Sequence, residues 1–268
     1  MAVLVFVACA NGVAAQFRPL EPIDWAAVTG PQPIRISARV GWYDRQRAAL
    51  AGVEGRLFEL GEVAVSVRVG TVVLEFAGTP QWFLSNERVF AEPTGDARPI
   101  SPERKRHDSG DYRVATIVPL TSRNRNEMAV LRFGTRLPTT DNRVGLDRDQ
   151  TDFFALLGGV VQRGRARLGG EAGVSINGTR NPRIEQSDVL AYSASAAYDF
   201  GEIDLELEMV GQETPFSREV RGNENLGELR LGLRFGERRW FEATGVAGYR
   251  SYSPRLGLQL GGGMAINR

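Results

Sequence analysis

From Gly201 to Val210 the chain reads G-E-I-D-L-E-L-E-M-V, an apolar residue alternating with an acidic one. Successive side chains of a strand face opposite sides of a sheet. Ile203, Leu205, Leu207 and Met209 therefore share one face, and Glu202, Asp204, Glu206 and Glu208 share the other. The same period recurs along most of the chain. Ile34, Ile36, Ala38, Val40 and Trp42 alternate with Arg35, Ser37, Arg39 and Gly41. Val63, Val65, Val67 and Val69 are followed, after a turn at Gly70, by Val72, Leu74 and Phe76. Tyr112, Val114, Thr116 and Val118 form a fourth segment, and Ala129, Leu131, Phe133 and Thr135 a fifth. Seven more run roughly over Gln150–Arg163, Arg165–Gly178, Ser187–Phe200, Gly201–Glu213, Glu224–Gly236, Arg238–Arg250 and Arg255–Asn267. The total of twelve is even, as single-chain bacterial barrels require when both termini lie on the periplasmic side.

Connection lengths point the same way. Turns around Gly70, Thr121–Asn126, Gly164, Gly201 and Glu237 are short. The alternate connections, Asp44–Gly61, Ser85–Asp111, Pro138–Asp149, Thr179–Gln186 and Thr214–Asn223, are longer, with Ser251–Pro254 the exception. Short periplasmic turns and long external loops mark a transmembrane barrel. Aromatic residues fall near the strand ends: Trp42, Tyr43, Trp82, Phe83, Tyr112, Phe153, Phe154, Tyr249 and Tyr252 externally, and Tyr198, Phe200, Phe235, Trp240 and Phe241 on the periplasmic side. Two such bands match interfacial girdles. The pattern predicts an all-β fold, a transmembrane antiparallel up-and-down β-barrel of about 12 strands in the bacterial outer membrane, with outer-membrane lipid and the barrel-assembly machinery as partners.

Composition narrows the chemistry. The 33 basic and 32 acidic residues give a formal net charge of +1, so no bulk field favours nucleic acid. One His (His107) and one Cys (Cys9) cannot build a multi-ligand metal site, and no cofactor motif is present. His107 lies in a charged stretch, Arg104–Ser109, that reads as a solvated loop, and the chain reads as a non-enzyme. Asp147 to Asp152 has carboxylate spacing reminiscent of a calcium loop, but Arg148 interrupts it and the loop glycine is missing. Asn177-Gly178 reads as turn chemistry. At the start, the apolar run Met1–Ala10 followed by Val13-Ala14-Ala15 has the form of a signal peptide over residues 1–15. Residues 16–33 carry Pro19, Pro22, Pro31 and Pro33 and read as an extended periplasmic lead-in. The barrel then occupies residues 34–268.

The face opposite the apolar one is charged. It carries Arg39, Arg68, Arg132, Arg136, Arg167, Arg230 and Arg234 against Glu75, Glu171, Asp204, Glu206, Glu208, Glu228 and Glu242. A charge in lipid at mid-depth costs about 2–4 kcal/mol for Arg or Lys, so this face lines a lumen. Centring the Thr214–Asn223 loop sets Glu208 opposite Arg230 and Asp204 near Arg234. Two readings stand: a charged constriction that screens small solutes, and a closed, salt-bridged lumen in a structural or adhesive barrel.

Several stretches carry a family resemblance. Asp111–Val118, Leu131-Arg132-Phe133-Gly134-Thr135-Arg136-Leu137-Pro138-Thr139, Gly145-Leu146 leading to Thr151-Asp152-Phe153-Phe154-Ala155, and Asn223-Glu224-Asn225 resemble the outer-membrane barrel family of phenol-degradation meta-pathway transporters. The resemblance runs from about Arg56 to the C-terminus. It implies a barrel of twelve or so strands that passes small solutes, aromatic or hydrophobic ones among them, and it assigns no binding residue. The ending Met264-Ala265-Ile266-Asn267-Arg268 departs from the terminal aromatic usual in such barrels.

Overall fold

The computed structural model describes residues 17–94, 97–98, 105–121, 126–139, 141, 143–148, 150–181, 184–214 and 221–267. The expected signal peptide and Cys9 lie outside them. The strands are β1 (Ile34–Ala48), β2 (Val53–Val69), β3 (Val72–Gly78), β4 (Gln81–Val89), β5 (Lys105–Asp108), β6 (Tyr112–Pro119), β7 (Glu127–Leu137), β8 (Asp152–Arg163), β9 (Ala166–Asn181), β10 (Ile184–Asp199), β11 (Ile203–Glu213), β12 (Leu226–Phe235), β13 (Arg239–Gly248) and β14 (Leu256–Ile266). β3 and β4 pair with successive halves of β2, and β5 and β6 continue the same two-part pattern beside them. Each of these pairs is one barrel strand broken by a kink, at Thr79-Pro80 and at Ser109–Asp111. Proline cannot donate to a ladder, which accounts for the first break. The fourteen segments thus make a twelve-strand antiparallel barrel, closed where Ile34 pairs Ile266 and Asp44 pairs Leu256.

The predicted alternation holds. Leu157 is 63 % exposed, Leu168 60 % and Leu207 52 %, within a belt of exposed aliphatic side chains on the outer face. Water would penalise such a surface, so it belongs in lipid. β11 and β12 take the expected register, Glu208 opposite Arg230 and Asp204 opposite Arg234. At the short turns Gly70 and Gly164 adopt positive φ (62° and 58°), where a side chain would be strained. The external ends differ from expectation. β1 and β2 run on to Ala48 and from Val53, so most of the expected Asp44–Gly61 loop is strand. β9 likewise continues through Asn177 and Gly178 to Asn181, which replaces the expected turn there. His107 also lies on a strand, β5, rather than in a loop.

Girdle and lumen divide the aromatics more finely than position along the strand suggests. In the neighbouring pairs Trp42/Tyr43, Trp82/Phe83, Phe153/Phe154 and Trp240/Phe241, one ring is exposed on the outer face and the other is buried inside. Period two permits no other outcome. Tyr43, Trp82, Phe154 and Trp240 are therefore lumen residues and not part of a girdle.

Candidate functional site

The lumen is not empty. Residues 17–33, read from sequence as a periplasmic lead-in, run up through the barrel instead. Prolines at 19, 22, 31 and 33 keep this segment out of the sheet. Its one regular element is the five-residue helix α1 (Trp25–Thr29), capped by Asp24, whose carboxylate accepts from the Ala26 N–H at 3.0 Å. At the periplasmic end the Arg68 N–H donates to the Pro33 carbonyl at 2.7 Å. At the external end the Phe17 ring meets Trp82 edge-on, 5.0 Å between centroids.

The plug has two faces, and so does the wall around it. Leu20, Ile23, Trp25 and Val28 are buried against an apolar half-wall that includes Val73, Ile117, Val130, Phe154, Leu156 and Val160. Trp25 lies over a glycine window in β8 and β9. A Cβ added at Gly169 would stand 2.9 Å from its Cδ1 and Cε2, and one at Gly158 3.3 Å from its Cη2. The polar plug residues meet the charged half-wall. Arg18 donates to both oxygens of Glu228 at 2.6 and 2.7 Å and stacks over Tyr43. Glu21 accepts two hydrogen bonds from Arg230, at 2.7 and 2.8 Å, and one from Arg39 at 2.8 Å. Asp24 accepts from Arg35 at 2.8 Å.

The charged residues expected to line the lumen pair largely with one another and with the plug. Arg132, fully buried, donates to Glu75 and Glu171, each at 2.9 Å, and to the Glu21 carbonyl at 3.0 Å. Arg68 donates to the carbonyls of Ala27 and Val28, and Glu171 accepts from the Ile23 N–H. Arg234 pairs with Glu242 at 3.2 Å and Arg167 with Glu206 at 3.4 Å. Arg136 reaches Asp152 at 3.4 Å, and Arg230 holds Glu228 at 2.9 Å with Glu208 at 3.9 Å. Asp204 stands opposite Arg234 in register. The prediction missed the plug's Arg18, Glu21 and Asp24, and wall residues Arg35, Tyr43, Glu59, Glu62 and Arg113. A cavity of about 130 Å³ remains beside the plug, lined among others by Arg113, Arg167, Glu208 and Trp240, and one of about 50 Å³ lies toward the outside.

Described residues of the external loops pack together at the top. Arg148, fully buried, occupies the place where the calcium-like spacing would hold a cation. Its guanidinium binds Asp152 at 2.5 Å, the Gly178 carbonyl at 2.9 Å and the Asn223 amide oxygen. It thereby ties β8, β9 and the approach to β12 together. Beside it, burial and the neighbouring Asp111 carboxylate push the Asp147 carboxyl well above the usual range.

His107 faces outward on β5, its ring 6.3 Å from Phe83. In register it stands opposite Phe83, and the hydroxyl two residues on, Ser109, donates to the Thr139 carbonyl.

A closed barrel with an apolar belt outside and a plugged, charged lumen inside defines an outer-membrane β-barrel protein, and that is where this chain resides. No protein-family model matches the sequence, and no curated protein does either, so the phenol-degradation resemblance gains no support beyond the general class. Solved structures do match. Outer membrane phospholipase A from Escherichia coli has 14 % identity and a TM-score of 0.45, over 87 % of this chain and 90 % of that one. A loop-deletion form of OmpT, an outer membrane protein of Vibrio cholerae, has 12 % identity and a TM-score of 0.44, over 86 % and 97 %. CdiB from Acinetobacter baumannii has 9 % identity and a TM-score of 0.35, over 88 % of this chain but only 60 % of its own length. These likenesses concern the barrel fold and transfer no residue role. They do overturn the expectation of a non-enzyme. One of these similar structures is a phospholipase, so a barrel fold is no ground for excluding catalysis.

Proposed function

We propose that the protein is an outer-membrane conduit for small solutes, held closed at rest by its own N-terminal segment. The observation that carries this reading is the plug itself. Among the described residues it joins the barrel covalently at Pro33–Ile34, contributes no strand to the sheet, and leaves water-sized space beside it. The conduit is therefore not a standing pore. Burying Leu20, Ile23, Trp25 and Val28 stabilises the closed state by ~1.5–3 kcal/mol each, so roughly 6–12 kcal/mol in all. Opening has to be driven by something that binds the open form better.

The finer reading, a small aromatic solute, follows from the family resemblance, and the glycine window beneath Trp25 supports it because it accepts an indole. Entry into the outer membrane through the barrel-assembly machinery belongs to the same proposal. A second reading, a structural barrel whose plug never leaves, draws on the size of that apolar seat. Planar-bilayer recordings separate the two. The full chain should conduct little. A variant lacking residues 17–30, once shown to fold by heat-modifiable migration, should conduct steadily; a folded, silent variant would leave the structural reading standing.

A further inference from the structure

We propose that the guanidinium groups of Arg39 and Arg230 form a receptor for a monocarboxylate solute, and that Glu21 occupies it in the closed state as an internal competitor. The proposal rests on the gated-conduit reading and deepens it by naming the chemistry that opens the gate.

Several inner arginines find their carboxylates within the wall. Arg132 has Glu75 and Glu171, Arg234 has Glu242, and Arg167 has Glu206. Arg39 and Arg230 are different. Each has a wall carboxylate that holds it in place, Glu62 for Arg39 and Glu228 for Arg230, and each still turns donors into the lumen. Those donors converge on one carboxylate. Arg230 takes both Glu21 oxygens as a fork, with Nη1 to Oε2 at 2.7 Å and Nη2 to Oε1 at 2.8 Å, and Arg39 Nη2 adds a third bond to Oε2 at 2.8 Å. Two parallel N–H···O bonds from a guanidinium are the geometry that recognises a planar carboxylate. The residues come from β1 and β12, separate strands of the wall, so the site does not depend on the plug for its arginines. Glu62 and Glu228 act as positioning residues that keep both guanidiniums oriented once Glu21 leaves.

Surrounding acids limit what fits. Glu208 lies 3.9 Å from Arg230, and Glu59 lies 3.6 Å from Arg18 of the plug. Neither takes a hydrogen bond from these arginines, yet both repel added negative charge. One carboxylate is accommodated; a dianion is not.

The test uses the full chain with Cys9→Ser and a probe thiol at Ala27→Cys, a buried plug position. Labelling by a membrane-impermeant thiol reagent then reports plug opening. Sodium propionate is the probe, with propionamide and sodium chloride as controls. In the Glu21 background propionate competes with the plug's own carboxylate, so labelling should speed up. In Glu21→Ala the wall arginines are free in the open and the closed form alike, so propionate binds both and labelling should not respond. At ten times its Kd the effect in the parent should be about tenfold. Arg230→Lys keeps the charge but loses the fork, and should abolish the parent's response while heat-modifiable migration stays normal. An acceleration in Glu21→Ala equal to the parent's, or none in the parent, would overturn the receptor. Silence of the plug-deleted variant in bilayers overturns the conduit reading instead, so the two failures are distinguishable.

Discussion

If the plug is held by shape as well as charge, the barrel wall can expel it without any change to the plug. Gly169 on β9 faces the lumen, and a Cβ there would stand 2.9 Å from two carbons of the Trp25 indole. Gly169→Val suits a strand and costs the open barrel nothing, whereas overpacking against Trp25 in the closed state costs ~1–3 kcal/mol. Since 1.4 kcal/mol is a factor of ten, the open population should rise by about 5- to 150-fold. That increase is too small to produce a standing current from a plug seated by ~6–12 kcal/mol. It is well within reach of thiol labelling at Ala27→Cys in a Cys9→Ser chain, whose rate tracks the open fraction when closing outpaces labelling. Trp25→Ala alone removes a buried ring and should raise labelling further, since truncating Trp to Ala costs ~3–5 kcal/mol. In the Trp25→Ala background the clash has no partner, so Gly169→Val should then change little. A coupling of ~1–3 kcal/mol between the two sites is the expected signature. If Gly169→Val leaves labelling within about twofold of the parent, the indole is not seated in this window and the plug's position here is wrong.

The external cap supplies a second prediction. Arg148→Met removes the cation that Asp152 and Asn223 share, leaving the buried Asp152 carboxylate only its longer contact to Arg136 at 3.4 Å, and should destabilise the folded barrel by ~3 kcal/mol in denaturant titration. Asp147→Asn should act in the opposite sense. A raised carboxyl pKa means the native state binds its proton more tightly than the unfolded chain, so stability falls as pH rises above the unfolded value, and the cost persists at neutral pH. The asparagine can still accept from the Arg148 N–H and can donate to Asp111. The variant should therefore be more stable than the parent by ~1–3 kcal/mol at pH 7, with the difference vanishing below about pH 4. His107→Ala, on the outer face, should leave the conductance of the plug-deleted barrel unchanged.

The barrel was legible in the sequence because period-two alternation is a local property, and because lipid outside and charge inside fix which face is which. The register of β11 with β12 followed from centring one loop. The plug was not legible by the same rule, since Phe17 to Pro33 has neither alternation nor helical period. One signal for it was present. From Phe153 to Val161 the chain is apolar on both faces, with Phe154, Leu156 and Val160 turned inward. A water-filled lumen would not be lined that way, so something had to cover it. Treating all inward positions as one charged face concealed that half of the wall. Paired aromatics such as Trp42 and Tyr43 misled for a related reason: position near a strand end was weighed, and the parity of neighbours was not.

The size of the barrel explains why a plug exists and what kind of gate it makes. Twelve strands ~4.8 Å apart and tilted ~40° enclose a backbone cylinder of radius about 12 Å. Side chains from the wall narrow this, and the N-terminal segment occupies much of the remainder. The segment carries the pattern of the wall in miniature, with Leu20, Ile23, Trp25 and Val28 toward β6–β8 and Arg18, Glu21 and Asp24 toward β1 and β12. A plug matched on both faces has a single well-defined seat. Its apolar contacts are weakened by nothing a polar solute carries, but its charged contacts are, because an incoming carboxylate can take Glu21's place on the guanidiniums while Glu21 passes to water. Opening should therefore begin at Glu21 and leave Trp25 in its window until last. Two thiol probes would reveal that order: Pro19→Cys, above Glu21, should label faster than Ala27→Cys at every propionate concentration. Equal rates would mean that the plug leaves as one rigid body, and that Trp25 and Glu21 are released together.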